Sequence, residues 1–349
     1  MLKKLLVIIP IFLTLVGGAF YIYSRGANTS LISPLFAGKD QTDKISKNVD
    51  KFELDFSKSK TLTPLEKVPR YIVYNKDTGL VYYSKGVDLR MSPASFTKLL
   101  STQVAIDLIP LDTLITINAK SIDKVPTVLG LKTGEILSAS DLLRGAIATS
   151  ANDSAQALAD GAAEKAGIYP SEFIYYMNKK ATLLGMSHSH FSNPDGLDEQ
   201  NQYSTLIDVS KLVNNVQKNY PDILAAGKSD NQDIELASEH NRYYLPNWNG
   251  LLGVYPGVDG LKIAYTEEAG YSSIVTATRD GMNIVAIVSG TDSYLERDRA
   301  AADLLDAAFL IKGLPPIRVS TLMLNKHYQV WGDLARKIRS EIKSLQSIN

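Results

Sequence analysis

Strand-like segments sit at both ends of the folding region of this chain and helical patterns fill the stretch between them, so a sheet must unite residues far apart in sequence. Residues 71–74 and 80–83 are β-branched and aromatic, and they flank the turn-rich Asn75-Lys76-Asp77-Thr78-Gly79, which predicts a hairpin. A β patch is expected at 114–118 and late strands at 260–265, 272–278 and 283–289. Apolar residues at helical spacing predict helices over 99–109, 139–148, 152–166, 171–184, 205–218 and 297–311. Early and late strands with helices between them predict an α+β fold in which one sheet is completed from both ends.

Composition narrows the function. Lys and Arg number 37 against 37 Asp and Glu, which argues against a nucleic-acid partner. The absence of cysteine removes disulfides and thiolate chemistry. At the N-terminus, Lys3 and Lys4 precede an apolar run from Leu5 to Tyr23, broken only by Pro10, Thr14 and Gly17-Gly18. That run nearly spans a bilayer. It is either a retained anchor with its lysines inside or a signal peptide cut after Gly17-Gly18-Ala19, and apolarity continuing through Tyr23 favours the anchor. Either reading puts the remainder outside the cytoplasm. Residues 27–67 are polar and aperiodic, which predicts a tether, with folded structure beginning near Tyr71. In the tail, Trp331, Leu334, Ile338, Ile342 and Leu345 share one helical face, the pattern of a helix packed on the domain or of one that meets a membrane surface or a partner.

Chemistry concentrates at Pro93-Ala94-Ser95-Phe96-Thr97-Lys98. Pro93 suits a first helical turn, and the apolar continuation gives the helix a core face. Ser95 and Lys98 then share one side of it. A lysine amine whose pKa is lowered by burial or by a second cation can take the serine proton, making a nucleophile without histidine. The spacing by itself says little, because Ser57/Lys60, Ser121/Lys124 and Ser340/Lys343 repeat it in polar or loop-like surroundings. Downstream, Ser150-Ala151-Asn152 opens a helix, where either polar residue suits an N-cap, a proton relay or an amide that holds a peptide carbonyl. Lys262 lies on an expected strand, either as an ordinary edge lysine or as an anchor for a substrate carboxylate.

In this order the motifs resemble those of the serine penicillin-recognising family, most of all its D-alanyl-D-alanine carboxypeptidases. Asn193-Pro194-Asp195-Gly196-Leu197, Tyr255-Pro256-Gly257-Val258-Asp259-Gly260-Leu261-Lys262 and Glu268-Ala269-Gly270-Tyr271 extend the resemblance over residues 68–310. It implies an antiparallel sheet flanked by helices plus a helical lobe, and a peptidase acting on peptidoglycan peptides ending in D-Ala-D-Ala, with β-lactams as covalent ligands and no cofactor. It also implies Ser95 as nucleophile, Lys98 as base, Ser150 as relay, Asn152 as substrate amide and Lys262 as electrostatic anchor, with the backbone N–H groups of Tyr265 and Ser95 as oxyanion donors. The corresponding divisions are an anchor or signal at 1–26, a linker at 27–67, the peptidase-like domain at 68–316 and an extension at 317–349.

Literal spelling misleads at two places. Lys132-Thr133-Gly134 and Ser229-Asp230-Asn231 copy family motifs out of order, so both are expected to be structural. At the matching third motif the family has Lys-Thr-Gly or Lys-Ser-Gly, and this chain has Lys262-Ile263-Ala264. The missing hydroxyl removes a charge-assisted hydrogen bond of about 1.5–3 kcal/mol, roughly ten- to two-hundredfold in turnover or binding. Two functions follow from the departure: a weakened carboxypeptidase, or a binding scaffold on the same fold. A β-lactamase is disfavoured, since none of Glu164, Glu172, Glu199, Glu235 and Glu239 has the Glu-x-x-Leu-Asn setting of class A enzymes. His188 and His190 have no third ligand in view, so no metal is expected.

Overall fold

The structure, a computed structural model, describes residues 40–346, so the apolar run of residues 5–23 lies outside the described residues. Among the described residues no helix is long and apolar enough to cross a membrane. Helix α1 (Thr42–Ser46) is followed by the expected hairpin, β1 (Arg70–Asn75) and β2 (Val81–Lys85). Next come α2 (Thr97–Leu108), β3 (Leu114–Thr116), α3 (Ala119–Ile122), β4 (Ile136–Ser138) and α4 (Ala139–Arg144). The helical stretch continues with α5 (Asn152–Ala166), α6 (Pro170–Leu183), α7 (Leu206–Asn219) and α8 (Pro221–Lys228). A short hairpin of β5 (Asn231–Ile234) and β6 (Tyr243–Pro246) leads to β7 (Val258–Ala264), β8 (Tyr271–Arg279) and β9 (Met282–Thr291). Two helices close the described chain, α9 (Tyr294–Leu310) and α10 (Thr321–Gln346).

Five strands form one antiparallel sheet in the order β2-β1-β9-β8-β7, so the early hairpin is completed by the late strands as the two-ended pattern predicts. In register, Ile72 faces Ile287 and Val73 faces Ala286. Strand alternation then sorts the two sides. Ile72, Tyr74, Ile274 and Ile287 join the core shared with α2 and the helical lobe. Tyr71, Val73, Val275, Ala286 and Val288 pack with Leu304, Leu305 and Phe309 of α9. Each such fully buried side chain contributes about 1.5–3 kcal/mol relative to exposure.

Two elements differ from expectation. Residues 41–67 are not a free tether: Ile45 is fully buried, Lys180 Nζ donates to the carbonyls of Ile45 and Asn48 at 3.2 Å each, and Asp55 and Lys60 bridge Leu80 and Tyr83. Ile45, Leu65, the half-buried Val49, Phe52 and Leu54 and scattered polar contacts hold the segment, and such contacts leave no periodicity to read. The helix expected over 139–148 ends as α4 at Arg144 and continues as a π-helical turn, Gly145–Thr149, closed by Ser150 at a left-handed φ of 65°. The tail helix, α10, packs Leu324, Trp331 and Ala335 on the folded unit, while Leu334 is exposed and Ile338 and Ile342 are half-buried. Its Tyr328 hydroxyl donates to Asp298 at 2.6 Å, and the Trp331 ring meets Trp248 edge-on at 6.3 Å.

Candidate active site

Ser95 sits in a 3₁₀ turn, Ala94–Phe96, that runs directly into α2. Ala94 adopts φ 45°, a left-handed conformation that the surrounding contacts must hold in place. Lys98, in the first turn of α2, is wholly buried. Its Nζ donates to Ser95 Oγ at 3.0 Å, to Asn152 Oδ1 at 2.7 Å and to the Asp195 carbonyl. Burial pulls the amine down to about 8, against the charges of Asp195 and Asp153, while Lys124 adds to the lowering. An amine with that pKa, in hydrogen-bond reach of a serine hydroxyl, can exchange a proton with it near neutral pH.

Neither polar residue of the second motif acts as an N-cap. The cap position of α5 is Ala151, with no side-chain bond. Asn152 instead turns its amide oxygen to Lys98, and its backbone N–H donates to the Thr127 carbonyl at 2.7 Å. Ser150 is 7% exposed, and among the described residues its hydroxyl makes no hydrogen bond to Ser95 or Lys98. Asp153 accepts from the N–H groups of Leu129 and Gly130, both at 2.9 Å, and of Leu131 at 3.1 Å. That carboxylate pins the loop that leads into Lys132-Thr133-Gly134. Ser229-Asp230-Asn231 lies at the junction of α8 and β5.

Lys262 occupies β7, the edge strand, yet only 1% of it is exposed, so it is no ordinary edge lysine. Burial drives its ammonium well below the usual lysine range, and the positive charges of Lys98 and then Arg297 push the same way. Its Nζ donates to the Ile263 carbonyl at 3.0 Å. β7 packs against the Ser95 turn, which brings the first and third motifs together. Ile263 is half-buried opposite Ser273, and Ala264 is buried opposite Ser272. Tyr265 follows the strand with an exposed side chain, its ring 4.3 Å from that of Tyr271.

Several contacts of the site were invisible to motif reasoning. Asp195, read from sequence as a turn residue, has a buried carboxylate 2.9 Å from Lys124 Nζ, although Ser121/Lys124 reads as a chance repeat. Gly196 packs so tightly on the Ser95 turn that a Cβ would stand 1.9 Å from the Ala94 carbonyl oxygen. Asp198 ties the same turn to both flanks, accepting from Ser92 Oγ at 2.6 Å and Thr266 Oγ1 at 2.9 Å. Arg297 is buried, with Nε donating to Asp298 at 2.8 Å and Nη2 to the Tyr328 hydroxyl at 2.9 Å. A positive charge after the last strand is the only trace of it in the sequence. Among the described residues no three His, Cys, Asp or Glu side chains cluster as metal ligands, and the His190 ring instead meets the Asn201 carbonyl at 2.7 Å.

An antiparallel sheet beside a helical lobe, with a Ser-x-x-Lys turn opening a buried helix between them, defines the penicillin-recognising serine peptidase class. The D-alanyl-D-alanine carboxypeptidase family matches residues 61–293, and the chain belongs to that family. It is 32% identical over 251 residues to D-alanyl-D-alanine carboxypeptidase DacF of Bacillus subtilis, covering 68% of this chain and 61% of that protein. The crystal structure of the Streptomyces K15 DD-transpeptidase aligns with a TM-score of 0.64 and 27% identity, over 75% of this chain and all (100%) of that one. Penicillin-binding protein D2 of Listeria monocytogenes, solved in a cefotaxime-bound form, aligns with a TM-score of 0.60 and 27% identity over 69% of this chain and 97% of that one.

Proposed function

We propose that this protein is a serine-type D-alanyl-D-alanine carboxypeptidase that removes the terminal D-alanine of peptidoglycan stem peptides through an acyl-enzyme on Ser95. The observation that carries the reading is the buried Lys98 amine, 3.0 Å from Ser95 Oγ with its pKa pulled down to about 8. In this mechanism Ser95 Oγ bonds to the penultimate carbonyl carbon as its proton passes to neutral Lys98. The N–H groups of Ser95 and Tyr265 receive the oxyanion. The C–N bond then breaks, the departing D-alanine nitrogen takes a proton by way of Ser150, and water hydrolyses the ester. Asn152 holds the peptide carbonyl, and Lys262 attracts the terminal carboxylate. β-Lactams form the corresponding ester on Ser95 and leave it slowly. The apolar run of residues 5–23 supports attachment to the cell membrane, with the peptidase domain on the extracytoplasmic side.

Ile263 favours a second reading, a binding protein on the same fold with little peptidase activity, because the position lacks the hydroxyl that the family places on the substrate carboxylate. Two measurements separate the readings. Intact mass after incubation with a β-lactam should show an adduct on the parent protein and none on Ser95→Ala, and D-alanine should be released from a D-Ala-D-Ala peptide in a Ser95-dependent way. An adduct without D-alanine release supports the binding protein, and the absence of both defeats the acyl-enzyme reading.

A further inference from the structure

We propose that Lys124 is a positioning residue of this site: by pairing with the buried Asp195 carboxylate it holds the 193–197 turn against α2, so that the Asp195 carbonyl fixes the Lys98 amine beside Ser95. This rests on the acyl-enzyme reading for its consequence and on separate geometry for its evidence. The Asp195 side chain is fully buried, and its two oxygens have different partners. Oδ1 accepts the Leu197 N–H at 3.0 Å, inside the turn. Oδ2 receives no directed hydrogen bond and has the Lys124 ammonium 2.9 Å away. That oxygen therefore depends on the charge of Lys124.

The turn has no slack through which to absorb a change. Pro194 offers its carbonyl to the Ser101 hydroxyl at 2.8 Å, and Gly196 abuts Ala94 so closely that no side chain fits. Between these contacts the Asp195 carbonyl accepts from Lys98 Nζ. One residue thus presents a neutral acceptor to the catalytic amine from its backbone and an anion to a second lysine from its side chain. Four charged groups act on or near Lys98: Asp195 on the turn, Asp153 on α5, Lys124 after α3 and Lys262 on β7. If Lys124 is removed, the nearest cation left to answer the buried Asp195 charge is Lys98. Protonated for that purpose, Lys98 no longer accepts the Ser95 proton.

The experiment follows the Lys98 titration by NMR on protein labelled with ε-¹³C lysine, its resonance assigned through Lys98→Arg, beside the pH profile of acylation by a fluorescent penicillin. Lys124→Met should raise the Lys98 midpoint by about one unit and slow acylation at pH 7 about tenfold, with the apparent binding constant of the penicillin little changed. Lys124→Arg should keep the parent values. The double variant Lys124→Met/Asp195→Asn should regain most of the loss, because a neutral amide in place of the carboxylate needs no counter-charge. Loss of thermal stability in Lys124→Met with the Lys98 midpoint unmoved would make Lys124 a merely structural residue and overturn the proposal. Should the parent protein form no penicillin adduct, the acyl-enzyme reading fails, while the NMR midpoints still decide the role of Lys124.

Discussion

Asn152 Oδ1 lies 2.7 Å from Lys98 Nζ, so the amide at the head of α5 and the amine in the first turn of α2 form one hydrogen-bonded unit. The unit matters for pH dependence because Lys98 must be neutral to accept the Ser95 proton. With its pKa near 8, the amine is mostly protonated at pH 7 and mostly neutral at pH 9. The rate of covalent labelling by a penicillin should rise from pH 6 to a plateau above pH 9. Its midpoint should fall near 8, and the value at pH 7 should be roughly a tenth of the plateau. A profile flat across that range would mean that another group takes the proton.

The third motif gives the most direct test of whether Ile263 and Ala264 weaken this site. Ile263 and Ser273 face each other across β7 and β8, and the Ser273 hydroxyl is buried without a partner. Ile263→Thr with Ala264→Gly supplies the family's hydroxyl and removes a methyl from the edge strand. D-Alanine release should rise on the order of ten- to two-hundredfold, the worth of one charge-assisted hydrogen bond. An unchanged rate would mean that the cleft holds the terminal carboxylate by other contacts.

Gly196 sits at φ +86° with its α-carbon face against the Ala94 carbonyl. Gly196→Ala must displace either the 193–197 turn or the Ser95 turn, since backbone atoms cannot rotate aside as a side chain can. Urea unfolding should show a loss of about 1–3 kcal/mol. Labelling of Ser95 should fall by more than the unfolded fraction explains, because Ala94 is displaced with its neighbour. Full labelling of the folded fraction would show that the Ser95 turn tolerates the shift.

Legibility in the sequence followed the range of the physical signal. The sheet was readable because runs of β-branched and aromatic residues along 71–74, 272–278 and 283–289 are a local pattern imposed by two buried faces, and the Ser95 helix because proline, small residues and an apolar run mark its start within a few positions. The Lys124–Asp195 pair was not readable: Asp195 lies in a motif that carries the resemblance, yet only folding brings its carboxylate within 2.9 Å of Lys124. Residues 41–67 were misread for the same reason, since the partners of their scattered contacts, Lys180 and Asn215 among them, lie far along the chain. At Ser150 and Asn152 a good general rule, helix capping, lost to a neighbouring lysine that claims the asparagine side chain.

The buried pair behind that N-terminal attachment has a measurable cost. Lys180 Nζ lies 2.5 Å from Asp107 Oδ2 and 2.5 Å from the Tyr220 hydroxyl, which itself donates to Asp107 Oδ1 at 2.9 Å. Neither charged side chain has any exposure, and burial pushes the Asp107 carboxyl up against the favourable pull of Lys180. Lys180→Met leaves that carboxyl uncompensated and also takes a donor from the Ile45 and Asn48 carbonyls, of which Asn48 keeps the Asn215 amide at 3.0 Å, so it should cost about 3–5 kcal/mol in urea unfolding. Adding Asp107→Leu removes the stranded charge and should recover most of that loss. It cannot restore the lysine's contacts to the two carbonyls, so proteolysis within residues 41–50 should stay faster than in the parent even where global stability has returned. A single variant within about 1 kcal/mol of the parent by the same measurement would mean that water or Tyr220 already satisfies Asp107.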